Sequence, residues 1–132
     1  MAITKQGGRQ WPLIAKLPFG FADHTTSGVA EDAIDLPAGA SVIGASITIT
    51  EIYNSATTDL LELAGAGITV GGADNGSTLG TYEASALDMT ALAVNTAVTL
   101  EWTGAGAAPT TGAGFALVEY IMDGKANEVV PV

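Results

Sequence analysis

The chain has 132 residues, no cysteine, and fourteen acidic residues against four basic ones, a formal charge of −10. A chain of this length buries roughly two-thirds of its unfolded surface and folds as one domain, and the missing thiols exclude disulfides and thiolate metal sites. Seventeen glycines beside only 14% charged residues point to short strands and tight turns, and an acidic body argues against nucleic-acid binding.

The charge is unevenly placed. Lys5, Arg9 and Lys16 give residues 1–16 a charge of +3, while the rest sets fourteen acids against Lys125, a charge of −13. A basic segment on an acidic body suggests that the two meet different surfaces. Mean hydropathy is +0.38, yet no apolar run approaches the roughly 20 residues of a membrane span. The excess apolar surface is therefore expected to be covered by another subunit or a larger assembly.

Residues 1–10 have no apolar stretch behind their charges and do not read as a secretory signal. Pro12 and Pro18 exclude a helix or a central strand from residues 11–21, which read as an extended arm or an edge strand anchored by Trp11, Phe19 and Phe21. The expected organisation is an N-terminal arm over residues 1–21, a β-sandwich over 22–123 and a tail over 124–132. Gly28 to Leu36 predicts a strand with Val29, Ile34 and Leu36 as its apolar members. A Leu36-Pro37-Ala38-Gly39 turn follows, and then the longest alternation in the chain. There Ile43, Ala45, Ile47 and Ile49 are expected on one face, and Gly44, Ser46, Thr48 and Thr50 on the other.

Residues 59–64 and 67–70 predict short strands around a glycine-rich break. Asn75-Gly76 is the favoured pair for a two-residue hairpin loop, with a short strand from Thr78 to Tyr82. Residues 85–94 read as a helical turn or, preferably, an irregular edge strand. Ala97 to Thr103 is a clean strand with Val98, Leu100 and Trp102 inward, and Phe115 to Met122 is the last strong one, with Tyr120 inward. Strands at this spacing predict an all-β antiparallel sandwich or jelly roll.

Catalytic and metal-binding chemistry finds little footing. His24 stands beside Asp23, Thr25, Thr26 and Ser27, but adjacent residues rarely form a base–nucleophile pair, so a surface loop is expected. The carboxylates Glu31, Asp32 and Asp35, and Glu51, Asp59 and Glu62, read as solvated strand faces in preference to a glycosidase pair or a Ca²⁺ site. No cofactor, metal site or enzymatic activity is expected. Trp11, Phe19 and Phe21 near Arg9 are the residue types of interface hot spots.

The order Phe21-Ala22-Asp23, Ala33 to Ala40 (AIDLPAGA), Val42-Ile43-Gly44, Tyr53-Asn54-Ser55, Leu100 to Thr103, Thr110-Thr111-Gly112 and Val118 to Ile121 resembles the head decoration or cement proteins of tailed bacteriophages. The resemblance covers residues 19–122 and implies a jelly-roll-type virion structural protein on the outer capsid surface, made in the host cytoplasm. It clamps neighbouring capsomers and has no catalytic residue. Its implied partners are the major capsid protein and further copies of itself, as a trimer or a dimer, with neither nucleic acid nor membrane. From the residues themselves, Arg9, Trp11, Leu13, Lys16, Phe19 and Phe21 are the expected capsid or subunit interface. The competing reading is a carbohydrate- or receptor-binding module of a phage fibre or cell surface, which would need exposed aromatic side chains on its loops.

Overall fold

Alternation along three segments dictates where the core lies. Every second residue of Ala45–Ile49, Val98–Trp102 and Gly114–Val118 is buried, and the residues between them are more exposed. Period-2 patterns of this kind make one wet and one dry face per sheet, so two sheets must close on each other. The computed structural model describes residues 8–24, 26–55, 57–72, 74–125 and 128–129. Among them the chain runs through β1 (Gly8–Arg9), β2 (Leu13–Gly20), β3 (Val29–Leu36), β4 (Ala40–Glu51) and β5 (Asp59–Gly65). It continues through β6 (Ile68–Val70), β7 (Gly80–Glu83), β8 (Thr96–Gly104), β9 (Ala113–Met122) and β10 (Glu128–Val129).

The pairing is nested. β5 pairs with β6, β4 with β7, β3 with β8, β2 with β9 and β1 with β10, all antiparallel. The chain is thus one long hairpin rolled up, so that successive pairs fall in opposite sheets, β2-β9-β4-β7 and β3-β8-β5-β6. This is the jelly-roll arrangement of an antiparallel β-sandwich. Its core includes Leu36, Val42, Ile47, Ile49, Leu61, Leu63, Ile68, Val98 and Val118, each no more than 2% exposed. Each such side chain contributes about 1.5–3 kcal/mol by leaving water.

The tip of the long hairpin is the Ala66-Gly67 loop, where both residues have positive φ (53° and 76°) and Gly65 faces Ile68. This is the twist a two-residue hairpin loop requires. Asn75-Gly76 was the sequence's candidate for such a loop, and there the structure differs. Residues 75–77 form a 3-10 turn with Asn75 buried, because its amide is needed to pair with β5. The segment after β7 runs on along β4 without forming a strand or a helix. Ala84 N–H donates to Ala45 O (3.0 Å) and Leu92 N–H to Ala40 O (2.9 Å), and Ala84, Leu87 and Leu92 pack on the core.

Register shifts in β3 and β4 reassign side chains. In β4, Val42 faces Tyr120 and Gly44 faces the next residue, Glu119. Ile43 is therefore the extra residue of a β-bulge, which flips the face on which alternate residues lie. Ala40 and Val42 are buried before the bulge, and Ala45, Ile47 and Ile49 after it. Ile43, expected in that row, lies instead on the outer face. A similar shift at Ala33 separates Glu31 and Asp32 from Ile34 in β3.

β2 pairs with β9 along its whole length, from Leu13 to Gly20, so residues 13–20 take the second of the two forms expected of this segment, an edge strand of the sandwich. Pro18 is tolerated because β2 is the outermost strand of its sheet. Residues 1–7, and 126–127 and 130–132 of the expected tail, lie outside the described residues. Of the rest, Gly8–Arg9 pairs with Glu128–Val129, so the two ends of the chain join as a two-stranded ribbon.

Candidate interaction surface

The ribbon is tied to the sandwich by one side chain. Gln10 Nε2 donates to Met122 O (2.6 Å), and Met122 N–H donates to Gln10 Oε1 (2.7 Å). An amide side chain satisfies a donor and an acceptor of one backbone residue at once, so Gln10 bridges the ladder between the β1–β10 and β2–β9 pairs. Trp11 follows immediately and is 79% exposed.

Strand parity then sorts the expected interface residues. Leu13, Ala15, Leu17 and Phe19 face Tyr120, Val118, Ala116 and Gly114, the inward row of β9. Ile14, Lys16 and Pro18 alternate with them and point outward. Phe19 is therefore buried, 6% exposed, and serves this chain's own core; it is withdrawn from the set able to meet a partner. Leu13 shares its row but lies nearer the end of β2 and is half exposed, and Phe21 begins the 3-10 turn after β2 and is partly exposed. Lys16 places its Nζ 4.4 Å from the centroid of the Phe115 ring, a cation–π contact on the outer face. Arg9 is exposed on β1.

One residue escaped the sequence reading. Ile14 is 63% exposed, and together with Ile43, Leu87 and Leu117 it lines a shallow groove of about 390 Å³ rimmed by Glu83 and Glu119. Parity along β2 could have revealed Ile14 once that stretch was taken as a strand. The place of Ile43 depends on the bulge, which leaves no local pattern. Trp11, Leu13 and Ile14 are large apolar side chains left exposed at or just before the start of β2, with Leu13 and Ile14 on its two faces; soluble chains usually cover a gathering of such residues with a partner.

Beyond the other end of β2 lies a polar and aromatic cluster. His24 Nε2 is 2.8 Å from the Tyr53 hydroxyl. Its ring stacks against Trp102 at 5.9 Å and 27° and meets Phe19 edge-on. Burial pulls the His24 pKa down, partly opposed by Asp23 and Glu31. Burial pushes the Tyr53 phenol well up, reinforced by Asp23 and Asp59. The stable pairing is a phenol O–H donating to a neutral imidazole. His24 is thus a half-buried packing residue, where the sequence suggested a surface loop; the neighbouring Thr25 lies outside the described residues.

Asp59 also departs from expectation. It is 1% exposed, and its carboxylate accepts from Trp102 Nε1 (2.9 Å) and Ser55 N–H (3.0 Å). Asn75 Oδ1 accepts from Leu61 N–H (2.7 Å) while its Nδ2 donates to Leu61 O (2.8 Å), repeating against β5 the device Gln10 uses against Met122. These buried polar groups are satisfied within the fold. Among the described residues, no three His, Asp or Glu side chains are arranged to hold a metal ion.

No protein-family model matches the chain, and no curated protein matches it. Solved structures do. A chain of the acidic stable capsid of Helicobacter pylori bacteriophage KHP30 is 17% identical with a TM-score of 0.63, over 88% of this chain and 90% of that one. A chain of the capsid of Ralstonia phage GP4 is 15% identical with a TM-score of 0.60, over 95% and 91%. A chain of the cyanophage Pam1 capsid asymmetric unit is 18% identical with a TM-score of 0.59, over 92% of each. At this level of identity the likeness is one of fold, and it covers most of both chains: this jelly roll is similar to chains found in the capsids of three phages.

Proposed function

We propose that the chain is a virion structural protein that sits on the outer surface of a phage capsid and stabilises it by binding across capsomer boundaries. The observation that carries this reading is the fold likeness, over most of both chains, to chains of three phage capsids. The exposed Trp11, Leu13 and Ile14, with Phe21 beyond and the cations Arg9 and Lys16 beside them, are the residues that would meet the major capsid protein or another copy of the chain. A few residues, tryptophan, tyrosine and arginine above all, supply most of the energy of protein contacts, which puts Trp11 and Arg9 first among these. A protein that binds the assembled shell and not its separated parts stabilises the shell by mass action, by about 2.7 kcal/mol per site at a free concentration one hundred times its Kd.

Rebinding to capsids stripped of this protein tests the proposal. Wild-type protein is expected to bind and to raise the temperature at which the capsids open. Trp11→Ala combined with Ile14→Ser should weaken binding by about tenfold or more while leaving the fold intact, because both side chains are mostly exposed. Undiminished binding by that variant would overturn the assignment of the surface. A protein that ignored capsids but bound a glycan would overturn the virion role and favour the recognition module.

A further inference from the structure

A sheet with one face on the core is expected to turn polar residues outward on the other. β4 obeys with Gly44, Ser46 and Thr48, and β8 with Thr99, Glu101 and Thr103. β9 does not. It lies between β2 and β4, and its outward row reads Phe115, Leu117, Glu119 and Ile121, each only partly buried. Ile14 and Ile43 extend this apolar stripe across the groove that Leu117 and Glu119 share.

The same face holds two opposite charges that do not meet. Glu119 stands opposite Ile14, and its carboxylate leans over Gly44, 3.2 Å from where a Cβ would stand. Among the described residues it makes neither a hydrogen bond nor an ion pair. An anion held against apolar side chains without a partner is costly. Lys16 stands opposite Leu117, but its Nζ lies over the Phe115 ring, on the side of Leu117 away from Glu119. Phe115 and Glu119 are each two residues from Leu117. A two-fold axis crossing the strands at Leu117 therefore exchanges their positions, and it brings the ammonium of one copy to the carboxylate of the other, twice.

We propose that this outer face is the interface of a two-fold dimer of the chain, with Leu117 at the axis and Lys16 of each copy paired with Glu119 of the other. Both halves of the ion pair on one face are what a self-complementary contact requires. The apolar stripe supplies the contact, and the two pairs fix its register. Charge selects the face as well as the occupant. Each copy carries −10, so a second copy approaches where acids are fewest. The strands of the other sheet set Glu31, Asp32, Asp35, Asp59, Glu62 and Glu101 against no lysine or arginine, a charge of −6. Those of this sheet set Glu51, Glu83 and Glu119 against Lys16, a charge of −2. The inference goes beyond the capsid reading, and its test contains no capsid, so either can fail without the other.

The test is sedimentation velocity of the full chain over a concentration series. Wild type should be a dimer that dissociates on dilution. Lys16→Glu and Glu119→Lys should each weaken the dimer by about tenfold or more, because two attractions become two repulsions. Mixing these two variants should restore it, since the mixed pair again sets a cation against an anion at both contacts. Glu62→Lys, on the outer face of the other sheet, should not weaken it. If a charge reversal unfolds the chain, which circular dichroism shows, Lys16→Gln and Glu119→Gln carry the same test, each with an expected loss of several-fold. A wild-type monomer at every concentration, a trimer, or an affinity indifferent to Lys16 and Glu119 would overturn the proposal. So would two weakened variants that fail to pair on mixing.

Discussion

Replacing Asn75 by alanine is expected to be among the most damaging single changes away from the apolar core. The side chain is 2% exposed, and its two hydrogen bonds serve the N–H and C=O of Leu61, a residue of β5 beyond the reach of β6, whose pairing begins at Leu63. Alanine leaves both backbone groups buried without those partners, at about 1–3 kcal/mol each, so a loss near 3 kcal/mol is expected after partial relaxation. With an unfolding entropy of about 2.1 cal/mol/K per residue, this corresponds to a fall in Tm of roughly 10 °C. Thermal and urea unfolding followed by tryptophan fluorescence measures it. The isostere Asn75→Asp sharpens the test. One oxygen still accepts from Leu61 N–H, but the other now faces Leu61 O, so the ionised form is disfavoured and the folded-state pKa lies above the unfolded value. That variant should approach wild-type stability below the unfolded carboxyl pKa, near 4, and lose it as pH rises through the folded value. A loss under about 0.5 kcal/mol for Asn75→Ala would refute the claim that this amide completes the ladder.

The remaining predictions concern other parts of the same frame. The His24 pKa is lowered by burial, so the unfolded state binds a proton more readily; stability supported by neutral His24 is present above about pH 6.5 and is lost as pH falls through the folded value. Unfolding of His24→Phe between pH 5 and 8 should show a flatter profile than wild type; an unchanged profile would place the pH dependence elsewhere. Gly112→Ala should destabilise by about 2 kcal/mol or more, because Gly112 has φ +136° and a Cβ there would lie 2.6 Å from the Tyr53 ring; chemical denaturation checks this. Glu101 faces Glu62 directly across β8 and β5, so Glu101→Gln should stabilise the fold by about 0.2–1 kcal/mol. The gain should shrink as salt is added, and a destabilised variant would contradict the repulsion.

Strand identity was written locally. Alternation at Ala45–Ile49, Ala97–Thr103 and Phe115–Met122 is a period that neighbouring residues carry among themselves, so the all-β class and the inward Val98, Leu100 and Trp102 could be read without coordinates. The charge contrast between residues 1–16 and the acidic remainder is likewise a property of composition. What local pattern could not express is pairing between distant segments. The bulge at Ile43 arises from the register of β4 against β9. The burial of Phe19 arises from β2 docking on β9, about a hundred residues later in the chain. The polar side chains misjudged as exposed or as turn formers are those whose partners lie far off, with Asp59 bound to Trp102, His24 to Tyr53 and Asn75 to Leu61. A polar residue reads as solvated until a distant segment supplies its hydrogen bond, and only then does burial cease to cost it the water it gave up. The outward place of Ile14 belongs to that same long-range order, since it follows from β2 docking as the outer strand of its sheet.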